Sequence, residues 1–537
     1  MITIAVTPAA ALAPLPRLLG QLGDCFQVRF AADPGESSPA AGRIVLAPPD
    51  QLAALVAGPA AGPEPTLVVT APARGMPRWT GRVAYADAGG VPAVFRGREV
   101  AAQEGQAPAA VPALAGFREI ATAGGRPVWA TRISAGPSFS ISGFPLPVLA
   151  DGDYLQDHLN GKSFAALLPV FDFVRRIARG DPPPDIPLRA CLIVDDPNLH
   201  WPSYGWVDYA RLVSFQRECP SHFAMAMVPL DGWRIDRRAA RLFREHPQAL
   251  SLLVHGAMHG SNEFAGDRRP AALGRLLAYA SARVRAAEAA AGVSIARILA
   301  PPHGAIREDA LRPLLAFGFE GVTTNRWTLW QHNSRQSRPA GLGLGPADIL
   351  GGGMPVINRF RLNAPTAPGE ILVAAYLGQP IVPYGHHRDF ADGMSAIRRT
   401  VETINSLGPV DWMDAGRLFA TNVRAEFRGN RGAIQLHSRR GRLRLPAAVD
   451  EIQVAAPGFA PETVGALRIR SLPPLPDPPV DLRAGLGAAV AVPAGSALEI
   501  SLEAPPSPGE SPCVPLRVPL RLALRRILSE ARDRLRI

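Results

Sequence analysis

Three short polar segments, each directly after an apolar run, contain the residue types that could do chemistry in this chain. They are Val194-Asp195-Asp196-Pro197-Asn198, His255-Gly256-Ala257-Met258-His259 and Ala300-Pro301-Pro302-His303-Gly304. In that order they supply a carboxylate pair, an imidazole pair and a Pro/Gly turn. Carboxylates and imidazoles are the usual ligands of hydrolytic metals such as Zn²⁺. The chain is therefore a candidate metal-dependent hydrolase.

The carboxylate pair ends the apolar run Cys191-Leu192-Ile193-Val194, which is typical of a buried strand. Successive strand residues point in opposite directions, so Asp195 and Asp196 can have different roles. One can bind a metal while its neighbour accepts a proton. The alternative is a helix-capping or turn aspartate before Pro197, which explains one of the two more easily than both.

The imidazole pair follows the apolar run Leu250-Ser251-Leu252-Leu253-Val254. If a helical turn begins there, His255 and His259 lie on one face and can bind one metal. The alternative is a pair of hydrogen-bonded loop histidines. One Asp with two His leaves positions open for water, whose pKa Zn²⁺ would lower toward about 7. The same ligands also suit Fe(II) oxygenases, so ligand type alone does not select hydrolysis.

Length and composition indicate a soluble multidomain protein. The 537 residues, 47% of them hydrophobic and 19% charged, exceed what one hydrophobic core accommodates. A formal charge of +11 could indicate an anionic partner, but the arginines are scattered and no nucleic-acid-binding motif is present. We therefore expect no nucleic-acid partner. The four cysteines have no metal-ligand or redox spacing, which favours thiols in a reducing compartment: Cys25, Cys191, Cys219 and Cys513.

The first eight residues, 1–8, are predicted to form a strand, since they lack the positively charged start of a secretory signal. No apolar segment reaches about 18 residues, so we expect no transmembrane helix. These features favour a cytoplasmic location, with peripheral attachment to a membrane left open.

Residues 1–180 are predicted to form an open α/β domain with accessory function. The predicted strands are 2–6, 26–30, 43–47, 66–70 and 82–86, and the predicted helices are 15–22, 50–56 and one within 153–179. Residues 121–126 are predicted to be a hairpin turn. The prolines of Asp181-Pro182-Pro183-Pro184-Asp185 predict an extended linker.

Strands and helices alternate again over residues 186–419, a pattern typical of a parallel (β/α) barrel. The predicted strands are 190–194, 223–228, 250–254, 297–300, 321–324, 371–375 and 380–384, and the predicted helices are 208–217, 237–246, 271–291 and 307–317. Such a fold places functional residues where strands end and loops begin.

Two further regions follow. Residues 420–505 contain short alternating strands separated by Gly and Pro, which predicts a β-sandwich. Residues 509–537 predict an amphipathic basic helix, with one apolar face: Leu520, Leu524, Ile527, Leu528, Ala531 and Leu535. This helix could dock on its own protein or an identical subunit, or bind an anionic membrane surface or another protein.

The order of these motifs resembles the polysaccharide deacetylase superfamily, of the carbohydrate esterase family 4 type. The resemblance covers residues 188–419: strand-Asp-Asp, strand-His-x-x-x-His, strand-x-Pro-Pro-x-Gly, and a late strand that ends in a histidine. It implies a distorted (β/α) barrel and a divalent metal, usually zinc. By this resemblance Asp196, His255 and His259 bind the metal. Asp195 is then the catalytic base, and Pro302 and Gly304 shape the wall of the substrate groove. His386 is the general acid, with His387 as the alternative register.

The sequence departs from the family pattern at several positions. Ala300 stands where an arginine usually holds the base, so another group must orient Asp195, and Arg307 and Arg388 are candidates. Residues 323–327, Thr-Thr-Asn-Arg-Trp, lack the family's later acidic residue. Pro197 replaces the usual glycine and begins a long aromatic loop. Its members Trp201, Tyr204 and Trp206 could stack on sugar rings, or could fill the barrel opening instead. His303 could contact substrate or metal-bound water.

These features predict a Zn²⁺-dependent deacetylase whose partner is an N- or O-acetylated glycan or glycan precursor. One rival is a divergent hydrolase of a non-sugar amide or a glycosidic bond. The other is a catalytically inactive barrel that serves as a glycan-binding or assembly module.

Overall fold

The computed structural model describes residues 2–13, 15–32, 40–52, 63–71, 79–102, 107–113, 115–133, 138–179, 187–260, 262–266, 269–339, 341–472, 478–503 and 520–535. The predicted linker at 181–185, most of the predicted helix at 50–56 and the first part of the predicted 509–537 helix lie outside these ranges. The chain divides into two compact units. One contains residues 1–186, 337–344 and 365–377, and the other contains 187–336, 345–364 and 378–537.

The described residues form eleven α-helices, numbered in chain order. They are α1 (Pro16–Phe26), α2 (Phe164–Arg179), α3 (Tyr209–Glu218), α4 (Arg237–Glu245), α5 (Pro270–Ala291), α6 (Leu311–Ala316), α7 (Arg326–Gln331), α8 (Ala367–Leu377), α9 (Ser395–Asn405), α10 (Ala415–Ala420) and α11 (Leu520–Leu535). None of the helices in these ranges combines the length and the hydropathy that crossing a bilayer requires.

The first unit contains one nine-stranded sheet. Its strands are β1 (Ile2–Thr7), β2 (Val28–Ala32), β3 (Gly42–Ala47), β4 (Thr66–Thr70), β5 (Gly81–Tyr85), β6 (Glu99–Ala102), β7 (Phe117–Ala123), β8 (Arg126–Arg132) and β9 (Phe139–Pro145). The spatial order is β2-β1-β3-β4-β9-β8-β7-β5-β6. The half from β2 to β9 is parallel and the remainder is antiparallel. The predicted hairpin turn is confirmed, because Gly124 and Gly125 connect the paired strands β7 and β8.

The second unit begins with what we call the central domain, residues 187–336, 345–364 and 378–420. Its strands are β10 (Leu188–Ala190), β11 (Leu192–Asp195), β12 (Ser203–Tyr204), β13 (Val207–Asp208), β14 (Phe223–Met227), β15 (Leu250–Val254), β16 (Ile295–Leu299), β17 (Gly321–Thr324), β18 (Asp348–Leu350), β19 (Met354–Asn358), β20 (Phe360–Arg361), β21 (Pro383–Gly385) and β22 (Val410–Trp412). Nine of them form an open sheet in the order β18-β19-β17-β16-β15-β14-β11-β21-β20.

Buried side chains from the strands of this sheet share one core with α10. Ile193, Ala224, Leu253 and Ile357 come from different strands of the sheet and belong to one cluster with Phe419. Gly321 allows this packing, because a Cβ there would lie 2.1 Å from the Phe419 ring. Apolar side chains therefore fill the space between this sheet and α10.

Eight strands of residues 423–502 complete the second unit. They are β23 (Val423–Arg428), β24 (Arg431–Leu436), β25 (Arg440–Arg444), β26 (Glu451–Ala455), β27 (Leu467–Leu472), β28 (Val480–Ala484), β29 (Ala489–Ala491) and β30 (Ala497–Leu502). They form two four-stranded sheets, β23-β24-β26-β29 and β25-β30-β27-β28, whose alternating apolar residues share one core. The mixed α/β class expected from the sequence is confirmed.

One predicted strand is wrong, and several strands of the described residues were not predicted. Residues 371–375 lie inside α8, and Glu370 occupies its first turn, where an acidic side chain favours the helix dipole. A short, fully apolar run has no periodicity that separates a strand from a buried helix. One of the unpredicted strands is β19, which pairs parallel with β17 and leads directly into Arg359.

Candidate functional site

The chemistry-bearing segments emerge at one edge of the central sheet. Strands β16, β15, β14, β11 and β21 are neighbours and parallel. Register pairs Asp195 with Ala226 on β14, and Val194 with Gly385 on β21. Because the carboxyl ends of parallel strands meet at the same edge, the residues that follow them converge there.

Three of the predicted residues form what we call the Asp–His cluster: Asp196, His255 and His259. One potential ligand atom from each lies within 4.8 Å of the other two. The Nε2 atom of His259 lies 3.2 Å from Oδ1 of Asp196, and Nε2 of His255 lies 3.9 Å from the same oxygen. The structure therefore brings together the three residues that the sequence predicted as metal ligands.

The protonation of this cluster suits a divalent cation. Nδ1 of His255 lies 2.8 Å from the carbonyl oxygen of Ala300, which only accepts, so Nδ1 carries the proton and Nε2 presents its lone pair. Burial lowers the pKa of His255, and burial with the neighbouring His255 lowers that of His259 to about 3. Burial opposes ionisation of Asp196, but the two histidines and Arg526 keep its pKa below the usual range. Two neutral imidazoles and a carboxylate fit a metal such as Zn²⁺.

A buried glutamate that the sequence analysis missed fixes the turn between the two histidines. Glu263 accepts from the backbone N–H of Ala257 at 2.9 Å and from that of Met258 at 2.8 Å. Gly256 has φ +73°, and a Cβ there would lie 2.3 Å from Oε2 of Glu263 and 2.7 Å from Cγ of Pro302. The tight fit explains why a glycine separates His255 from the turn. The nearby signal in the sequence is one acidic residue four positions after His259.

Backbone strain is concentrated at this edge. Six non-glycine residues in the described ranges have positive φ, and three of them are Asp196 (82°), His259 (57°) and His303 (58°). Such conformations cost about 1–3 kcal/mol each and persist only where surrounding contacts impose them. The fold thus holds these side chains in positions that the chain would not adopt alone.

The predicted base, Asp195, is oriented by Arg359. Both side chains are buried, and Nη1 of Arg359 donates to Oδ1 of Asp195 at 2.7 Å. The guanidinium also stacks on the Tyr384 ring, 4.2 Å from its centre. Burial raises the pKa of Asp195, but Arg359 and His255 outweigh it, so the pKa is lowered.

The two arginines suggested for this role do not fill it. Arg307 binds Asp309, and Arg388 is exposed. The correct residue was missed because β19, the strand that delivers it, was missed. An arginine directly after an apolar run was the available signal.

The two late histidines have different surroundings. His386 is half-buried and lies close enough to Asp195 and Asp196 to influence the charge of both. Nε2 of His387 lies 3.3 Å from Oδ1 of Asp533, and the His387 ring packs against the ring of Tyr204. Asp389 accepts from the backbone N–H of His386. Of the two candidate histidines, His386 is therefore the one whose charge acts on Asp195 and Asp196.

The predicted substrate-contacting residues are placed unequally. Tyr204 is fully buried and donates to Asp533, so it is not presented for stacking on a sugar, contrary to the expectation. Trp201 is exposed, and Trp206 is half-buried. Pro302 and Gly304 are buried in the turn, and Thr324 donates to the carbonyl of Gly304. His303 is exposed, with its ring centre 5.2 Å from that of His259.

Helix α11, which we call the tail helix, lies over this edge of the sheet. Nη1 of Arg526 lies 3.3 Å from Oδ1 of Asp196, and its guanidinium also binds Asp231. Glu530 lies 2.8 Å from Nδ1 of His200, and Asp533 accepts from Tyr204 at 2.8 Å. The sequence left open whether this helix docks on its own chain. It does so through its charged side.

No protein-family model matches the chain, and no curated protein matches it in sequence. Solved structures do resemble part of it. One is from Mycobacterium smegmatis, is named as a polysaccharide deacetylase, and has 14% identity and a TM-score of 0.32 over 44% of this chain and 90% of its own. A second is a family 4 carbohydrate esterase from Streptomyces lividans. It has 14% identity and a TM-score of 0.26, over 42% of this chain and 91% of its own. A third is a CE4 esterase from Streptococcus mutans. It has 12% identity and a TM-score of 0.27, over 43% of this chain and 87% of its own. The names of these structures are those of the family that the order of the motifs resembles.

Arg359→Met leaves a buried carboxylate without its partner, and we expect it to lower the free energy of unfolding by about 3–5 kcal/mol near neutral pH. Adding Asp195→Asn should restore most of this loss, because no unpaired charge remains. Urea unfolding of wild type, both single variants and the double variant measures the coupling.

The pH dependence of the Arg359→Met variant has a defined sign. Without the guanidinium, burial raises the folded-state pKa of Asp195 above its unfolded value, so the stability deficit grows as the pH rises through that range. Equal losses in the single and double variants at every pH would show that Arg359 acts through packing on Tyr384 instead of through charge.

Glu263→Ala removes both acceptors that hold the turn between the histidines. We expect Zn²⁺ affinity to fall by about 10–100-fold, as for other residues that orient metal ligands, and Glu263→Gln to lie between this variant and wild type. Competition with a chromophoric chelator measures the affinity. Glu245→Ala, at an exposed glutamate of the same domain, is the matched control. An affinity unchanged by Glu263→Ala would contradict the assigned role.

Proposed function

We propose that the central domain is a metal-dependent hydrolase that removes acetyl groups from an N- or O-acetylated glycan or glycan precursor. The observation that carries this proposal is the Asp–His cluster with a second, separately held carboxylate directly beside it in the chain. Asp196 belongs to the cluster, whereas Asp195 is bound by Arg359. The two roles expected of adjacent strand residues are thus matched by two different environments.

A divalent cation would be held by Asp196, His255 and His259. Bound there, it supplies Lewis-acid polarisation of a carbonyl and a lowered pKa for water. The chain prepares this site through the Ala300 carbonyl, which fixes the tautomer of His255, and through Glu263, which fixes the turn that carries His259.

Asp195 is suited to accept a proton from the attacking water. It is ionised at neutral pH, because Arg359 and His255 offset the cost of burial. The same contact with Arg359 fixes its orientation. A base held in one geometry contributes more to catalysis than a mobile one.

His386 is suited to donate a proton to the departing amine or alkoxide. It follows β21, the strand hydrogen-bonded to β11, and so lies across the edge from Asp195. Asp389 accepts from the backbone N–H of His386, which holds the chain at this position. Proton donation of this kind contributes about 10²–10⁴-fold to the rate.

The choice of an acetylated glycan rests on the order of the motifs in the sequence, since the ligand types alone also suit other reactions. One exposed group beside the cluster could contact such a substrate: His303, whose ring centre lies 5.2 Å from that of His259.

A second candidate is a central domain that binds but does not turn over a ligand. It is favoured by one observation: the tail helix places Arg526 against a cluster residue and Tyr204 beneath Asp533. A cover of this kind would keep a large glycan from the Asp–His cluster while it stays in place.

Purified chain should bind about one equivalent of a divalent metal such as Zn²⁺, and Asp196→Ala and His255→Ala should lose it. His332→Ala, at an exposed histidine of the same domain, is the control. Acetate release from acetylated chito-oligosaccharides should fall by about 100-fold or more in Asp195→Asn, which retains the metal. Metal binding without acetate release from any acetylated glycan would favour the non-catalytic candidate. Absence of metal binding would exclude the proposed mechanism.

Arg526→Gln removes a positive charge beside the Oδ1 atom of Asp196, so Zn²⁺ affinity should rise by roughly tenfold or more. The neighbouring Arg525→Gln is the matched control, because Arg525 is exposed on the opposite side of the same helix. Chelator competition at low and high salt measures both variants. Equal affinities for wild type and Arg526→Gln would show that the tail helix does not influence the cluster.

A further inference from the structure

The tail helix has two chemically different sides. The inner side carries Arg526, Glu530, Asp533 and Arg534, which contact the central domain. Both acidic residues of the helix are on this side. Their negative charges are therefore used in contacts with the protein and are not presented at the surface.

The outer side carries hydrocarbon and positive charge. Five large apolar residues are between 49% and 73% exposed: Leu520, Leu524, Ile527, Leu528 and Leu535. Arg521, Arg525 and Arg532 are exposed among them, and Arg532 donates to Asp533 at its edge. The arrangement reverses the usual one, in which the apolar side of a surface helix packs on its protein. Something other than the central domain must account for the leucines.

Two exposed tryptophans stand beside the same helix. Trp201 is 45% exposed, and the guanidinium of Arg534 lies 5.5 Å from its ring centre. Trp233 is 62% exposed and lies 4.8 Å, centre to centre, from the ring of His200, which binds Glu530. The guanidinium of Arg234 lies 4.6 Å from the centre of the Trp201 ring, and Arg234 is itself exposed. Aromatic and basic groups thus extend the apolar surface beyond the helix.

We propose that this surface, the outer side of the tail helix with Trp201 and Trp233, binds an anionic lipid bilayer. Leucine and isoleucine side chains of such a helix enter the boundary between headgroups and acyl chains, and arginines pair with lipid phosphates. Tryptophan is enriched at that depth because one end of its ring system is apolar and the other polar. All three residue types are present, and the acidic residues are turned away.

A second copy of the chain fits this surface less well. In a two-fold contact the same patch faces itself, so the arginines of one copy would approach those of the other, and the described residues of the outer side include no acid to offset them. A bilayer rich in anionic lipid supplies the missing negative charge. Binding would bring the edge of the sheet that carries the Asp–His cluster close to the lipid surface. The proposal does not depend on the catalytic function proposed above.

Co-sedimentation of the full chain with vesicles tests the proposal. Vesicles with about 30% phosphatidylglycerol in phosphatidylcholine should bind the chain at about 0.1 M NaCl, and pure phosphatidylcholine vesicles should bind it at least tenfold more weakly. Raising NaCl to about 0.5 M should weaken binding to the anionic vesicles. The double variant Leu524→Asp with Leu528→Asp should bind at least tenfold more weakly than wild type.

Matched variants separate the surface from a general effect of charge. Leu486→Asp places the same substitution at a leucine that is 43% exposed in another part of the chain, and it should bind as wild type does. Trp233→Ala should weaken binding. Circular dichroism and thermal unfolding should show that the variants remain folded, because the replaced side chains are exposed.

Two outcomes would overturn the proposal. One is equal binding of wild type and the Leu524→Asp, Leu528→Asp variant to anionic vesicles. The other is a wild-type dimer in light scattering that the same variant dissociates, without binding of wild type to vesicles, since a second copy would then cover the leucines.

Discussion

The arrangement of the central domain depends on how two adjacent carboxylates are kept charged in a buried place. Asp195 and Asp196 end one strand, and an unpaired buried charge costs several kcal/mol. The fold resolves this in two ways. Asp195 receives the guanidinium of Arg359, directly after β19, and Asp196, which lies beside two histidines, receives a second guanidinium from the tail helix. The difference between these partners gives the two aspartates different chemistry.

Positioning of the histidines adds a second constraint. The turn from His255 to His259 has a glycine that touches Pro302, a glutamate that binds two of its N–H groups, and a histidine in a left-handed conformation. The strained conformation of the turn persists because these contacts together hold its backbone in place. Such a turn has its ligand geometry set before a cation arrives, so little ordering cost remains to be met on binding.

The sequence predicted what depends on local pattern and failed where distant segments meet. Apolar runs located β11 and β15, and polar residues that follow them form the Asp–His cluster. Arg359 lies 164 positions from Asp195 and Arg526 lies 330 from Asp196, and no local period links such pairs. The order of strands in a sheet decides which arginine reaches a carboxylate, and that order is not written in the spacing of residues. For the same reason Arg307 and Arg388, closer in sequence to the motifs, were the wrong candidates.

The contact between Arg526 and Asp196 links the two ends of the second unit. A carboxylate that binds both a guanidinium and a divalent cation holds two positive charges within a few ångströms, and the Arg526 side chain that supplies one of them is buried. Each cation must then weaken the binding of the other, and by thermodynamic linkage the effect is equal in both directions. A cation in the Asp–His cluster would loosen the tail helix as much as the docked helix disfavours the cation. Asp231 limits the effect, because it holds the same guanidinium independently of Asp196. Docking of the tail helix and binding of a cation to the Asp–His cluster are thus linked through the charge of Arg526, and this linkage requires no contact between the helix and the histidines of the cluster.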